Sequence, residues 1–353
     1  LDLSPEASKK VSLFLQRAKL GSETVLRSAV GLHLGADQIL SGWDSIFNSK
    51  LRLMNKTLLA IEAQNRSNYG PRSVAVPWEE RASGVKEYFK SSEMLRVPDA
   101  IKPALHRRLR PLNLEKAMAY IKGNTNSGLP SLTRKSSVKE FTLGNFEELL
   151  GRKDPCILFT RTQEMRKTRT VWGYPIADTL NEMRFYRPLL DIQRAQAWRS
   201  ALLSPIAVDN CIDKLIRKAM QNNKSIVSID FSSYDASVKS ELQECAFNYI
   251  SALFQSSFSD EMTAIFHRFN TIGLITPDGI LNGPHGVPSG STFTNEVDSI
   301  VQFICARNFG IHEDDMNIQG DDGVYIVDNP KEFMRHFKLF GLNVNQDKSY
   351  VSS

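Results

Sequence analysis

Cysteine is scarce in this chain: Cys156, Cys211, Cys245 and Cys305 are the four among 353 residues, widely scattered and without a Cys-x-x-Cys pair. Their spacing argues against a clustered zinc site and a secreted disulfide framework, and predicts reduced thiols in a reducing compartment. No apolar run is long enough to cross a bilayer, so no membrane association is expected. The start, Leu1-Asp2-Leu3-Ser4-Pro5-Glu6, is not a signal peptide, and without an initiating methionine it predicts trimming, tagging or an incomplete chain. Internal repeats and long low-complexity segments are missing too, which excludes a repeat architecture. The length suffices for large cores in more than one domain or subdomain.

Acidic residues are sparse where basic ones are dense. Residues 1–220 hold 36 Lys and Arg against 22 Asp and Glu, a net +14, whereas residues 221–353 hold 8 against 17, a net −9. The basic part is the candidate surface for a phosphate backbone, with binding that weakens steeply with salt. Cation-binding carboxylates concentrate in the acidic part. Such asymmetry also occurs in proteins that never touch nucleic acid, so it supports that reading without establishing it.

Three segments carry the chemistry. Ser225-Ile226-Val227-Ser228-Ile229 is a β-branched run that predicts a buried strand ending at Asp230, the first residue of Asp230-Phe231-Ser232-Ser233-Tyr234-Asp235. Met316 to Gln319 and Val324 to Val327 predict two further strands, joined by a tight turn at Gly320-Asp321-Asp322-Gly323. With these elements side by side, Asp230 and Asp321 project into one small volume, where carboxylates repel unless hard cations lie between them. Mg²⁺ suits such a site, and two ions about 4 Å apart would stabilise the attacking and leaving oxygens of an in-line displacement. The same aspartates also fit an ordinary turn.

Gly283 to Ser291 is a glycine-rich loop, and Thr292 onward predicts a helix with Phe293, Val297, Ile300 and Ile304 on one apolar stripe. A loop that opens a helix offers N–H groups to phosphate or ribose. Thr294 and Asp298, four residues apart, share a face beside the stripe rather than within it. An ordinary loop and core helix have the same composition.

Taken in order, Asp230 with Asp235, Ser289-Gly290 with Thr294, and Gly320-Asp321-Asp322 resemble the first, second and third motifs of viral RNA-dependent RNA polymerases. Asp-Phe-Ser-Ser-Tyr-Asp-Ala-Ser and Gly-Val-Pro-Ser-Gly-Ser-Thr-Phe-Thr-Asn are most similar to the picobirnavirus branch, with partitivirus polymerases as near neighbours. The resemblance implies template-directed nucleotidyl transfer from NTPs, for viral genome replication and transcription. It implies two Mg²⁺ ions, replaceable by Mn²⁺, held by Asp230, Asp321 and Asp322. It also implies that Asp235, Ser289, Gly290 and Thr294 sense the ribose 2′-hydroxyl, from which a carboxylate can accept. Asp298 departs from the better-known members, which carry asparagine there; the asparagine of this chain is Asn295. Two carboxylates beside one ribose disfavour double ionisation unless a cation, donor or proton intervenes.

Arg161 to Val171 resembles the basic motif that holds nucleotide phosphates, with Arg161, Lys167 and Arg169 as the implied contacts. Without the resemblance, a basic run is equally a solvated face. Thr125-Asn126-Ser127-Gly128-Leu129-Pro130 resembles the template-guiding motif, through Thr125, Ser127 and Gly128, and also fits a surface turn. Lys348 falls where the family keeps a lysine assigned to protonating the pyrophosphate leaving group, and it also fits a plain surface charge.

The implied fold class is α+β, a right-hand polymerase with largely helical fingers and an RRM-like palm around a central antiparallel sheet. Expected boundaries are an N-terminal helical segment over 1–70 packing on the fingers, fingers over 71–222, and a palm over 223–353 with fingers segments inserted at about 255–285. Ser67-Asn68-Tyr69-Gly70-Pro71 is the expected linker, Arg107, Arg108 and Arg110 form a basic patch, and Phe333, Phe337 and Phe340 recur at helical spacing. The family's C-terminal thumb is not expected within these residues. Implied partners are RNA template, nascent RNA and NTPs, with viral capsid protein as a candidate. A monomer is expected, at work in the virion interior and the host cytoplasm. A reverse transcriptase is the alternative with the same metal chemistry, but it typically carries a bulky residue at the place of Asp235 and an aromatic one in its Asp-Asp motif. The non-enzymatic alternative, an inactive palm-like RNA-binding or packaging protein, is opposed by the intact Asp230, Asp321 and Asp322.

Overall fold

The structure, a computed structural model, describes residues 1–65, 72–105 and 107–352, so the expected linker at 67–71 lies outside the described residues. Its strands are β1 (Cys156–Thr162), β2 (Thr168–Gly173), β3 (Ser225–Ile229), β4 (Leu274–Thr276), β5 (Gly279–Leu281), β6 (Met316–Gln319), β7 (Asp322–Val327) and β8 (Tyr350–Ser352). They form two four-stranded sheets among many helices, an α+β arrangement. The first sheet runs β2-β1-β4-β5, the second β6-β7-β3-β8. In the first, β1 pairs antiparallel with β2 and parallel with β4, so residues 274–281 return to the same layer as the basic hairpin. All pairings of the second sheet are antiparallel.

The second sheet follows from its alternation. Val227 and Ile229 on β3 are buried while their neighbours are partly open, as period-two side chains on a half-covered sheet should be. The β6–β7 hairpin is tighter than expected: Gln319 pairs with Asp322, so β7 begins at Asp322 and only Gly320 and Asp321 turn. Gly320 takes φ +62°, a left-handed conformation open to glycine at little cost.

The helix Thr294–Phe309 corrects a second expectation. Rather than one apolar stripe, all residues from Glu296 to Ala306 are buried, Asp298 included. Its surroundings explain this, because core side chains cover every face: Trp198 stacks on Phe303 at 4.3 Å, and Phe333, Phe337 and Phe340 are fully buried in the same cluster. The charge of Glu296 is met by a bidentate bond from Arg199, both N–O distances 2.7 Å, the geometry that makes a buried carboxylate tolerable.

The N-terminal helices differ in what they bury. Pro5–Leu20 is capped by Ser4, whose hydroxyl accepts from Ala7 N, and it lays Phe14 against Phe159 of β1 at 5.0 Å. The helices Ala29–Leu34 and Ala36–Lys50 bury no residue at all, and leave Leu32, Trp43 and Ile46 exposed. Periodicity marked these helices but not what covers them. Arg107, Arg108 and Arg110 are all exposed, with Arg108 donating to Ala252 O and Phe254 O.

Candidate active site

The carboxylates meet because β7 lies between β6 and β3. Gly323 pairs with Ile229, so Asp230, just past β3, and Asp321, in the hairpin turn, emerge at the same end of the sheet. Helix side chains brace that turn on both backbone groups: Gly320 N donates to Ser299 Oγ at 2.8 Å, and Gly320 O accepts from Gln302 Nε2 at 2.9 Å. Tyr325 donates to Gln302 Oε1 in turn, and a Cβ on Gly323 would stand 2.0 Å from that oxygen. Asp230 N donates to Ser349 Oγ at 3.0 Å and Asp230 O accepts from Asn345 N at 2.8 Å, which laces the segment carrying Lys348 to the first aspartate.

Asp321 and Asp322 are exposed, and burial together with the charges of Asp321 and Asp230 raises the Asp322 carboxyl above its ordinary range. Crowded like charges with hard oxygen donors fit a divalent cation. Among the described residues no three Asp, Glu, His or Cys side chains close around one point. The remaining ligands of an ion here would come from outside the protein, which is how Mg²⁺ is commonly held beside phosphates.

A second carboxylate pair lies behind them. Asp235 O accepts from Val287 N at 2.7 Å, and a Cβ on Gly286 would come within 2.3 Å of the same oxygen, so the glycine-rich loop runs close along the Asp235 segment. Tyr234 donates to Asp298 O at 2.9 Å. Burial, more than any neighbour, pushes the Asp235 carboxyl up to about 6; burial and then Asp235 hold that of Asp298 well above the ordinary range. The two carboxyls lie close enough for each to shift the other, and Asp298 Oδ1 has no hydrogen-bond partner among the described residues. Burial and mutual repulsion therefore oppose ionisation of both carboxyls together.

The loop is fixed from both flanks. Ser289 Oγ donates to Thr170 O and accepts from Trp172 N, each at 3.3 Å, and a Cβ on Gly290 would lie 1.6 Å from Trp172 O. Only glycine permits that approach to β2. Thr294 Oγ1 donates to Pro288 O at 2.8 Å and Ser291 O at 2.9 Å. The hydroxyls of Ser289 and Thr294 are thus engaged in shaping the loop.

Facing the aspartates is the β1–β2 hairpin. Arg161, Lys167 and Arg169 are exposed, with Arg161 directly across from Arg169. Burial, then the charges of Arg169 and Lys348, lowers the Lys167 ammonium from its ordinary value, while Asp230 opposes the shift. Lys167, Arg169, Lys348 and Asp230 therefore share one neighbourhood, and the charge of Arg169 also reaches Asp235. Arg161 joins this group through its pairing with Arg169. The turn places Met165 and Arg166 at φ +58° and +57°, left-handed for residues with side chains.

The template motif is corrected in two of its three residues. Ser127 is fully buried, its Oγ accepting from Thr133 N at 3.1 Å and donating to Gly128 O at 3.2 Å. Gly128 has φ +63°, and a Cβ there would stand 2.3 Å from Tyr174 O. Both build the loop and are withdrawn from its surface. Thr125 is exposed and accepts from Lys135 Nζ at 3.0 Å.

Sequence reasoning missed Tyr88, Glu182, Arg199 and Gln302. Burial, then the charges of Asp235 and Asp298, holds the Tyr88 phenol above its ordinary range, which puts it beside the carboxyl pair. Glu182 accepts from Ser291, Thr292 and Phe293. Their partners lie far along the chain, and no local spacing announces them.

The model of the viral RNA-dependent RNA polymerase family matches residues 142–353. A potential RNA-dependent RNA polymerase of a human picobirnavirus (strain Human/Thailand/Hy005102/-) is 28% identical over 330 residues, covering 84% of this chain and 62% of that protein. The RNA-directed RNA polymerase of Cryptosporidium parvum virus 1 (strain KSU-1) is 26% identical over 221 residues, covering 56% of this chain and 42% of that protein. The chain thus spans only part of the length of both relatives. The crystal structure of the RNA-dependent RNA polymerase of a human picobirnavirus shares the fold, with a TM-score of 0.82 at 22% identity over 99% of this chain and 75% of that one. Its insertion-loop deletion mutant gives 0.79 at 23% identity. With the family model matching well over half its length, this chain belongs to the viral RNA-dependent RNA polymerases.

Proposed function

We propose that the chain is the catalytic part of an RNA-directed RNA polymerase that joins NTPs on an RNA template. The observation that carries this is the juxtaposition of Asp230, Asp321 and Asp322 with Lys167, Arg169 and Lys348 across one opening. A carboxylate cluster facing a cationic cluster is complementary to a cation-bound triphosphate. In this reading the second sheet with its helices is the palm and the first sheet belongs to the fingers.

Two divalent ions, Mg²⁺ or Mn²⁺, would be held by Asp230, Asp321 and Asp322 and supply charge stabilisation to the attacking and leaving oxygens. Lys167 and Arg169, with Arg161 beside them, bind and orient the triphosphate through charge-assisted bonds. The Asp235–Asp298 pair takes the 2′-hydroxyl that separates ribonucleotides from deoxyribonucleotides. The Ser289-Gly290 loop sets the distance between that pair and β2. Lys348, tethered beside Asp230, is placed to give a proton to the departing pyrophosphate. Thr125 is the template contact that stays at the surface. The proposal extends to RNA template and product as partners, viral capsid protein as a further one, a monomeric state, and work in the virion interior and host cytoplasm.

The test is incorporation of labelled NTPs and dNTPs on an RNA template with Mg²⁺ or Mn²⁺, in the longest protein that carries these residues, beside Asp321→Ala. Ribonucleotide incorporation that vanishes in the variant supports the proposal. Preference for dNTPs would replace it with reverse transcription, and metal-independent RNA binding without incorporation would replace it with a packaging role.

A further inference from the structure

One buried oxygen gathers three donors from the substrate loop. Glu182, on the helix Ile176–Arg194, is 4% exposed, and its Oε2 accepts from the Ser291 hydroxyl, from Thr292 N at 2.9 Å and from Phe293 N at 3.4 Å. These donors directly follow Ser289-Gly290 and lead into the helix Thr294–Phe309. N–H groups at the start of a helix lack intrahelical partners, and a carboxylate there is favoured by the helix dipole.

Glu182 is not an ion-pair residue. One turn earlier on the same helix, Asp178 takes the bidentate bond of Arg268, at 2.9 and 3.1 Å, whereas among the described residues no cation is paired with Glu182. Burial pushes its carboxyl up to about 8, against the opposing pull of the Ser291, Thr292 and Phe293 donors. An apolar side chain would occupy such a place at lower cost. What a carboxyl group adds is direction, a fixed acceptor for three successive residues of a loop that is otherwise rich in glycine, proline and serine.

The other flank of this loop is pinned to β2 through Ser289 and Gly290. β2 also carries Arg169. Two clamps from one side of the molecule thereby set where the loop meets the Asp235–Asp298 pair.

We propose that Glu182 is a positioning residue for nucleotide sugar selection: it latches residues 291–293 so that the loop holds its register against the carboxyl pair, without touching substrate itself. The kinetic part of this proposal rests on the polymerase reading; the latch does not.

The experiment compares Glu182→Ala, which removes the acceptor, with Glu182→Gln, which keeps an oxygen in place. Hydrogen exchange reads the latch directly. Glu182→Ala is expected to speed exchange at the Thr292 amide about tenfold, and less at Phe293, whose N–H keeps its 3.1 Å bond to Ser291 Oγ, with residues 316–327 unchanged and Glu182→Gln close to wild type. In steady-state incorporation, Glu182→Ala raises the KM for NTP and lowers the NTP-over-dNTP preference, each about tenfold, with kcat within about threefold. Glu182→Gln restores most of both. Unchanged exchange at Thr292 and Phe293, or faster exchange spread over the whole second sheet, overturns the latch. A lower active fraction with unaltered KM and sugar preference reduces Glu182 to a fold-stabilising residue and overturns the selection role. If Glu182→Ala does not fold, Ser291→Ala removes one donor to Glu182 and also the acceptor of Phe293 N, so it is read at the Thr292 amide and in KM and sugar preference alone, with a smaller expected change. A wild-type protein that incorporates nothing defeats the polymerase reading, while the exchange measurement still decides the latch.

Discussion

The two sheets hold their charges in opposite ways. In the second, the turn bearing Asp321 is bonded through both backbone groups of Gly320 to Ser299 and Gln302, and Asp230 is tied to Ser349 and Asn345. In the first, Arg161 and Arg169 stand opposite each other on an exposed hairpin whose turn holds two left-handed residues with side chains. Like charges directly across a strand pair are unfavourable until an anion joins them. The acidic cluster is thus braced by its own protein, whereas the basic hairpin, the polyphosphate site of the proposed function, carries facing like charges that its own strands leave unpaired.

The sharpest break of this contrast is Asp321→Ala, which leaves every brace in place and removes only a carboxylate. Incorporation should fall at least ~1000-fold, while salt-dependent RNA binding, measured by filter retention, stays near wild type. Gly290→Ala attacks the seam between the sheets, since its new Cβ would lie 1.6 Å from Trp172 O. Displacing the loop is expected to cost about 100-fold in incorporation at unchanged RNA affinity. Arg169→Ala tests the unfinished side and should raise the KM for NTP about tenfold, with a smaller change in kcat.

Smaller effects sharpen the comparison through stability. The folded Asp235 carboxyl is raised from 3.8 to about 6, so its contribution is fully present below the lower value and is lost as pH rises through the upper one. Asp298, raised further, extends that loss to higher pH. Asp298→Asn should therefore melt about 2 °C higher than wild type near neutral pH, with the difference closing under acid conditions in a thermal scan. On the basic hairpin, replacing Met165-Arg166 by Asn-Gly suits a left-handed turn, and should stabilise by ~0.5–1 kcal/mol in urea titrations.

Much of the second sheet was legible because its signals are local. The β-branched run before Asp230 and the hairpin around Gly320-Asp321 need only nearest neighbours to be read, and the structure moves their limits by two residues at β7. The braces were not legible. Ser291 meets Glu182 from 109 residues away, and Arg199 meets Glu296 across 97, distances over which no spacing rule operates. The helix Thr294–Phe309 misled in another way: one apolar stripe was expected, yet Glu296, Asp298, Ser299 and Gln302 are buried too, Glu296 bonded to Arg199, Ser299 to Asn295 O and Gln302 to Gly320 O. Ser127 and Gly128 misled likewise, since turn-forming residues are as much at home inside a loop as on its surface.

That same helix has a consequence for how the protein can vary. With Glu296 through Ala306 enclosed on all sides, it offers no face on which substitutions are free. A saturation library across these residues should be depleted nearly everywhere, at polar and apolar positions alike, whereas the helix Ala36–Lys50, which buries nothing, should accept polar replacements along its length. Drift in this molecule is thus channelled to its outer helices, and the element that carries most of the bracing is the one least able to be rewritten one residue at a time.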